Sequence, residues 1–330
     1  LTARRAGQLT MVQIVFIGIA AGLAAALVFA SVVSGSALSI PLFYLAPLPV
    51  LIAALGWSQA SGLIAAGVAA LGLGVAFGGM LFVVFLIGVG LPAWWLGYLA
   101  LLARPAANGA RERLEWYPVG RLVIWAALLG SLIVMMVIAR FGFDAESIRA
   151  GLQRALESLF DGQDSAGGAA SAALDSGEFI AWLTTWIPRI AAIPTIVASL
   201  FNLWLAARVV QASGRLKRPW PDLSAIAFPP WVPLLLAAAI AGTFASGLLG
   251  IVCWVLTASL LTAYLLLGFA VLHATTRGLN GRVFILAGAY LTVVLFGWPA
   301  LAVAILGLID AALDIRGRVA RKGASPTDIV

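Results

Sequence analysis

The chain of 330 residues is 63% hydrophobic and only 10% charged, and its mean hydropathy is +1.07. Soluble globular domains carry roughly 25% charged residues, so this composition excludes a soluble globular protein. The formal net charge is +7, but the arginines stand in short clusters between apolar segments, as the positive-inside pattern of membrane proteins requires. We therefore expect membrane lipid as a partner and no nucleic acid.

The first third of the chain carries no acidic residue, basic residue or histidine from Ala6 to Ala103. Its first apolar run, Val12 to Val33, is too long for the apolar region of a signal peptide, about 7 to 15 residues, and suits a retained spanning helix of about 20. The same length rule predicts further spans along the chain. The predicted spans are near residues 12–34, 42–57, 59–78, 79–103, 121–143, 179–207, 230–249 and 251–276.

A last apolar stretch, residues 283–313, is too long for one ordinary span. Gly297, Trp298 and Pro299 lie at its middle, and such residues break helices, so we predict a helix–turn–helix hairpin there. The sequence thus predicts an all-α polytopic transmembrane helix bundle, with about 8 spanning helices and this C-terminal hairpin. We treat residues 1–330 as a single integral membrane domain.

The loops predict the orientation. Basic clusters at both ends of the chain and in three internal loops fall on one side of the membrane if residues 283–313 form a hairpin, and the side rich in Lys and Arg is cytoplasmic. We therefore expect a bacterial inner-membrane protein with both termini in the cytoplasm, including a basic tail at residues 314–330.

One long excursion, residues 144–178, is expected on the opposite, extracytoplasmic side because its acidic residues outnumber its arginines. Asp144 is a plausible N-cap, and Ile148 and Leu152 begin an apolar face at helical spacing. The part from Asp161 to Gly177 is rich in Gly, Ala and Ser and has no periodicity, which is typical of a flexible linker. We favour a plain connector for this excursion. The alternative is a lid over an external cavity.

Two predicted helices carry small residues every four positions, which predicts close helix packing or a partner face because small side chains let helix backbones approach closely in lipid. These small residues could contact either a neighbouring helix of the same chain or a partner subunit, and the sequence leaves both alternatives open. The first ridge contains Gly18, Gly22 and Ala26, and the second contains Gly62, Ala66, Ala70, Gly74 and Gly78.

Prolines and a few polar residues interrupt the apolar spans and point to a candidate ligand site. Prolines inside a span free backbone carbonyls, which line polar cavities in transporters but also occur in simple kinks. Buried arginine and amide side chains are costly in lipid and often functional. The candidate ligand-binding residues are Pro47 and Pro49 in the short second span and Arg189 and Asn202 in the sixth.

Asp310 and Asp314 lie four residues apart, hence on one helix face. Two carboxylates so placed could hold Mg²⁺ and a diphosphate, as in lipid-linked transferases, but the chain has no second acidic cluster of that kind. We favour an interfacial helix end with an Asp314–Arg318 ion pair. No cofactor and no resident metal are predicted, and the sequence has no Walker loop and no His-Glu-x-x-His or Gly-x-Ser-x-Gly motif.

Two distinctive stretches, Arg218 to Trp231 and Leu306 to Arg316, resemble the YybS-like family of uncharacterised bacterial integral membrane proteins. That family is distantly similar to the substrate-binding components of energy-coupling-factor transporters, which bind a vitamin or a metal and dock on an ATPase module. The resemblance implies that the ridge of Gly18, Gly22 and Ala26 meets a membrane coupling subunit.

The function that we favour from the sequence is a transporter-type, small-molecule-binding membrane component without its own ATPase, whose partners would be a coupling subunit and an ATPase. A membrane scaffold or regulatory subunit of a larger complex is the alternative from another class. A metal-dependent lipid-linked transferase that uses Asp310 and Asp314 is the weakest of the three.

Overall fold

Helices make up nearly all of the described chain. The computed structural model describes residues 10–34, 38–105, 114–142, 145–161 and 177–323. Within these residues, seven helical segments are long and apolar enough to cross a membrane, which confirms the predicted all-α polytopic fold. They are Met11–Val33, Ser39–Gly56, Gln59–Phe77, Gly79–Ala100, Val119–Ala139, Ala192–Ala212 and Gly247–Thr275.

The chain separates into two compact units, and each is described by itself. Unit 1 contains Leu1–Ala126 and Thr195–Pro221, and unit 2 contains Ala127–Pro194 and Asp222–Val330. The prediction of a single membrane domain stays a prediction, since two packing units can belong to one membrane domain.

Unit 1 is built on six helices and parts of two others. Its helices are α1 (Met11–Ala30), α2 (Ser39–Leu45), α3 (Leu48–Gly56), α4 (Gln59–Phe77), α5 (Gly79–Phe85) and α6 (Leu91–Ala100), followed by the start of α7 (Val119–Ala139) and most of α10 (Ala192–Ala212). Between α6 and α7 lies a short antiparallel hairpin of β1 (Ala103–Pro105) and β2 (Leu114–Trp116), in which Arg104 is opposite Glu115.

Local sequence explains where α1 and α4 begin and end. Thr10 and Gln13 form a capping box at the start of α1, because the side chain of each accepts a hydrogen bond from the backbone N–H of the other, at 3.3 and 3.0 Å. The hydroxyl of Ser58 accepts from the backbone N–H of Ser61, at 3.0 Å, and starts α4. Gly78 ends α4 with a positive φ of 98°, which glycine adopts without steric strain.

Unit 2 surrounds the long helix α12. Its other helices are the second part of α7, α8 (Ala145–Asp161), α9 (Gly177–Ile190), α11 (Val232–Gly242), α12 (Gly247–Thr275), α13 (Arg282–Phe296), α14 (Pro299–Leu313) and α15 (Ile315–Gly323).

Two contacts fix α12 within this unit. Gly268 and Gly307 let α12 and α14 approach with backbone against backbone, in antiparallel directions. Ser131 of α7 donates a buried hydrogen bond of 2.8 Å to Ser259 of α12, and such bonds hold helices together in lipid. The long helix is therefore the centre of unit 2.

Two predicted spans are wrong. Residues 179–207 form two helices, α9 and α10, that meet at a turn at Ala191, and only α10 is long enough to cross a membrane. Pro194 lies in the first turn of α10, where a missing N–H leaves no helical bond unmade. Residues 230–249 contain α11, whose 11 residues span roughly 16 Å, and only the first residues of α12, because the chain turns at Thr243–Ser246 and α12 begins at Gly247 with a φ of +70°.

The predicted helix–turn–helix at residues 283–313 is confirmed. Helix α13 ends at Gly297, which has a φ of +69°, and Pro299 opens α14 at a position that needs no N–H donor. The helix predicted within the 144–178 excursion corresponds to α8, whereas Asp144 and residues 162–176 of the predicted linker (Asp161 to Gly177) lie outside the described residues. The basic tail contains α15, and residues 324–330 lie outside the description.

Candidate functional site

The second span of unit 1 is broken in its first half. Helix α2 ends at Leu45, and α3 begins at Leu48, directly after Pro47. Pro47 has no N–H to donate, so a carbonyl of the preceding turn loses its usual helical partner. Pro49 itself lies in the first turn of α3, where its missing N–H leaves no helical bond unmade. The break therefore exposes backbone acceptors inside the unit.

Asn202 of α10 donates a hydrogen bond to a backbone carbonyl at this break. Its side chain is buried, with 1% of the residue exposed, and its Nδ2 donates to the carbonyl of Tyr44 and to that of Ala198, both at 2.7 Å. The other amide atom, Oδ1, is buried and has no hydrogen-bond partner among the described residues. An unsatisfied buried acceptor costs about 1–3 kcal/mol, so this amide is a place where a donor from a water or a ligand would be stabilising.

The fourth span is also irregular. Between α5 and α6 the segment Leu86–Gly90 is a π-helical turn, in which the N–H of Leu91 donates to the carbonyl of Leu86. Pro92 follows at once and deprives the carbonyl of Gly88 of its usual donor. Wide turns of this kind often mark functional sites within helices. This one places a second irregular stretch of backbone in unit 1.

A small cavity lies where these segments meet. Its volume of about 20 Å³ is enough for one or very few water molecules, which need roughly 10–15 Å³ each by this measure. The hydroxyl of Ser199 reaches its wall and donates to the carbonyl of Thr195, at 2.7 Å. The lining residues are Pro47, Leu51, Gly88, Val89, Pro92, Ala93, Leu96 and Ser199.

The structure brings together two of the four predicted ligand-binding residues. Pro47 lines the cavity, and Asn202 lies one helical turn from Ser199 and bonds to Tyr44 in the preceding turn of the break. Pro49 does not reach the cavity wall. Arg189 belongs to α9 in unit 2, and its side chain lies outside the described residues. Sequence reasoning missed Ser199 and Gly88, because small residues are too common in membrane helices to stand out.

The first small-residue ridge is filled by the chain itself. A Cβ on Gly18 would lie 2.6 Å from Cγ2 of Ile64, and one on Gly22 would lie 2.7 Å from the carbonyl oxygen of Ala65. These contacts advance together along both helices, so α1 and α4 run parallel. Ala26 is half-buried on the same helix.

The second ridge, on α4, also lies against neighbouring helices. A Cβ on Gly62 would lie 2.6 Å from Cβ of Ala54, and one on Gly74 would lie 2.9 Å from Cβ of Phe82. Ala66 and Ala70 are fully buried, whereas Gly78 ends the helix. The close approach that small residues permit is thus used within unit 1.

The two acidic candidates at the end of α14 have different surroundings. The carboxylate of Asp310 is 2% exposed and forms an ion pair of 2.7 Å with Arg316, which also donates from its backbone N–H, at 3.0 Å, and from Nε, at 2.9 Å. Asp314 has a left-handed φ of 50°, ends α14, and accepts from the backbone N–H of Gly317 at 3.2 Å. Asp310 is therefore already bound by a cation of the chain.

A metal at this end would have to displace Arg316. Within the described part of the chain, no group of three or more His, Cys, Asp or Glu side chains is placed to hold a metal ion. The two carboxylates alone do not make the diphosphate site that the transferase alternative needs.

Comparison with known proteins gives one match. The family model "Predicted membrane protein (DUF2232)" matches residues 22–311. The search of the curated proteins and the search of the solved structures each returned no match.

Proposed function

The chain belongs to the DUF2232 family of predicted membrane proteins, and from the geometry of unit 1 we propose that it is a transporter-type, small-molecule-binding membrane component without its own ATPase. The observation that carries the proposal is the meeting of three proline-containing helical segments, α2–α3, α5–α6 and α10, at one cavity. Irregular backbone at membrane depth is tolerated where it lines a cavity or is buried in protein, and it recurs at transporter binding sites.

The buried amide of Asn202 supports the same site. Polar side chains inside a membrane protein are costly and are often functional. This amide caps a carbonyl of the broken second span and still has a free acceptor among the described residues. A substrate with an N–H or O–H donor would satisfy it.

The cavity is too small to hold a substrate larger than water. At about 20 Å³ it admits water but not a vitamin, so we propose that the structure is a closed state. The break before α3 and the π-helical turn before α6 are the places at which these spans would bend to admit a substrate, since helices bend where their hydrogen bonding is irregular.

The source of energy would lie outside this stretch of sequence, which has no Walker motif. The proposed partners are a membrane coupling subunit and an ATPase, as the resemblance to the YybS-like family and to energy-coupling-factor components implies. Gly18 and Gly22 are buried against α4, so we place the docking face for a coupling subunit elsewhere than on that ridge.

The proposed location is the bacterial inner membrane with both termini cytoplasmic. In unit 1, the chain after α3, after α6 and after α10 lies at one end, because Arg215 contacts Trp57 and Arg218 bonds to the carbonyl of Ala100. The basic loops of this unit thus share one side, and the positive-inside rule assigns that side to the cytoplasm.

Ligand recovery from matched variants tests the proposal. The full chain is purified gently as wild type, as Asn202→Ala and as Asn280→Ala, which changes an exposed asparagine in a loop of unit 2. Co-purifying small molecules are identified by mass spectrometry and returned to the protein in a thermal-shift assay. A compound that stabilises the wild type and N280A but not N202A supports a substrate site at the break.

Two other outcomes contradict it. A ligand that N202A binds as well as the wild type would show that the site lies elsewhere. If no compound is recovered and the protein is instead isolated with unrelated membrane assembly proteins, the scaffold alternative replaces the transport component.

A further inference from the structure

Three arginines and two tryptophans form a rim at the end of unit 1 where α3, α6 and α10 all end. The rim consists of Trp57, Arg208, Arg215, Arg218 and Trp220. Cζ of Arg208 lies 4.0 Å from the centre of the Trp220 ring, and Cζ of Arg215 lies 4.6 Å from the centre of the Trp57 ring. Arg218 donates to the carbonyl of Ala100 at 3.0 Å. The loop after α10 is thereby folded back onto the ends of three helices.

The positive charge of this rim is not neutralised by the part of the chain that the structure describes. The ion pairs recorded there use Arg104, Arg277 and Arg316, and none uses an arginine of the rim. Burial lowers the pKa of Arg218, since its guanidinium is partly removed from water without a carboxylate beside it. The rim therefore favours an external anion.

The contacts with tryptophan rings orient the guanidinium groups of Arg208 and Arg215 in a way that suits a phosphate group. A guanidinium that lies over a ring can still donate from the N–H groups at its edges; in Arg208 one of them, on Nη1, already donates to Oε1 of Gln211 at 3.3 Å. That planar fork matches the oxygens of phosphate, with which arginine forms paired hydrogen bonds. Tryptophan is itself enriched at the level of lipid headgroups.

An apolar stripe leads along α10 to the rim. Val197, Phe201 and Trp204 precede Arg208 at spacings of four, three and four residues, so the four side chains share one helix face. The three apolar residues are 42–49% exposed. A ligand that covers this face needs an apolar tail next to its anionic head, and this requirement favours a lipid over a free anion.

We propose that the rim binds the phosphate of an anionic phospholipid, whose acyl chain lies along Val197, Phe201 and Trp204. The phosphate lies against Arg208 and Arg215, and Arg218 adds charge from the side of α6. This site goes beyond the proposed substrate site and does not depend on it, since it uses a different end of unit 1.

Lipid titration of the purified full chain tests the site. Wild type, the double variant R208Q/R215Q and the control R104Q are titrated in detergent with phosphatidylglycerol or phosphatidylcholine, and bound lipid is counted by native mass spectrometry beside a thermal-shift assay. The control removes a positive charge of unit 1 that Glu115 already pairs. We expect R208Q/R215Q to lose about thirtyfold in apparent affinity for phosphatidylglycerol, from roughly fivefold per arginine, and R104Q to bind as the wild type does.

Three results would overturn the proposal. The first is equal binding of phosphatidylcholine and phosphatidylglycerol by the wild type. The second is a loss in R104Q as large as in the double variant, which would indicate attraction by net charge alone. The third is full displacement of the lipid by inorganic phosphate at equal concentration, which would make the rim a site for free anions.

A second variant distinguishes a loss of lipid binding from a folding defect. R208K/R215K keeps both charges but replaces the planar fork by a compact ammonium group. We expect it to match the lipid-free thermal stability of the wild type and to lose part of the affinity for phosphatidylglycerol. Binding as tight as that of the wild type would contradict a guanidinium site.

Discussion

The buried ion pair between Asp310 and Arg316 gives the sharpest prediction for stability. The Asp310 side chain is 2% exposed and the Arg316 side chain is 17% exposed, so removing either partner leaves a charge that water reaches poorly. Breaking a buried pair in this way costs about 3–5 kcal/mol. Arg316 also bonds to the carbonyl of Ile226 at 2.7 Å and is the more exposed partner.

The two single variants should therefore differ. We expect D310N to lie at the lower end of that range, about 3 kcal/mol, because Arg316 keeps its bond to Ile226 and some contact with water. R316Q should cost more, because it leaves a nearly dry carboxylate. In the double variant the two amides can bond to each other, so its loss should be clearly smaller than the sum of the single losses.

Thermal unfolding in detergent, followed by intrinsic fluorescence, measures these effects. A loss of about 3 kcal/mol corresponds to a decrease in Tm of about 6–12 °C for a unit of this size. The control is Asp314→Asn, which keeps a residue that tolerates the left-handed conformation of this position and should shift the Tm little. Equal Tm values for the wild type and D310N, or strict additivity in the double variant, would refute the reasoning. Stabilisation of the wild type by Mg²⁺ alone, absent from D310N, would favour the transferase alternative.

The remaining predictions concern unit 1. Gly22→Ala should lower the Tm, because its Cβ would lie 2.7 Å from a backbone oxygen of α4 and overpacking costs about 1–3 kcal/mol. The control Gly67→Ala, which has no described atom within 4 Å of the new Cβ, should be neutral or stabilising. The same loss in both variants would contradict the close packing of α1 on α4. Asn202→Asp should destabilise more than Asn202→Ala in thermal unfolding at neutral pH, because a carboxylate would replace the amide donor beside two carbonyl oxygens; equal losses would show that the donor is unimportant. The hydrogen bond from Arg104 and the positive charge of Arg104 lower the pKa of Glu115. The contribution of this pair to the stability of the β1–β2 hairpin is therefore present above the ordinary carboxyl pKa of about 4.3 and is lost as the pH falls through the lowered pKa. A carboxyl-carbon NMR titration should find that value below the ordinary one, and R104Q should restore it; an unshifted Glu115 in the wild type would refute the pair.

Sequence-based reasoning located part of the candidate site. Proline at 47 and asparagine at 202 stood out because each is costly inside an apolar helix, and the structure places both at the broken second span. The contribution of Ser199 was not predictable, since serine is common in membrane helices. The contact between Asn202 and Tyr44 joins residues 158 positions apart, and no local pattern specifies such a pairing.

The ends of α9, α11 and α14 show where length and hydropathy are insufficient. An apolar stretch of about 20 residues predicts a span, but residues 179–207 and 230–249 are divided by turns that hydropathy does not register. At the end of α14, the four-residue spacing favoured an Asp314–Arg318 pair, whereas the close pair in the structure is Asp310 with Arg316. The left-handed Asp314 ends α14 and a new helix, α15, begins at Ile315, so the spacing within α14 does not predict that Asp310 meets Arg316.

The sequence alone determined that this protein lies in a membrane and that its spans are helical. Both follow from local properties, because each apolar residue adds independently to the preference for lipid and a backbone in lipid must satisfy its own hydrogen bonds. Only the tertiary structure decided which small residues pack together, which carbonyl Asn202 caps and which arginine pairs with Asp310. Those choices depend on distances between segments that are far apart in the chain, and such distances are set by the packing of the whole helix bundle.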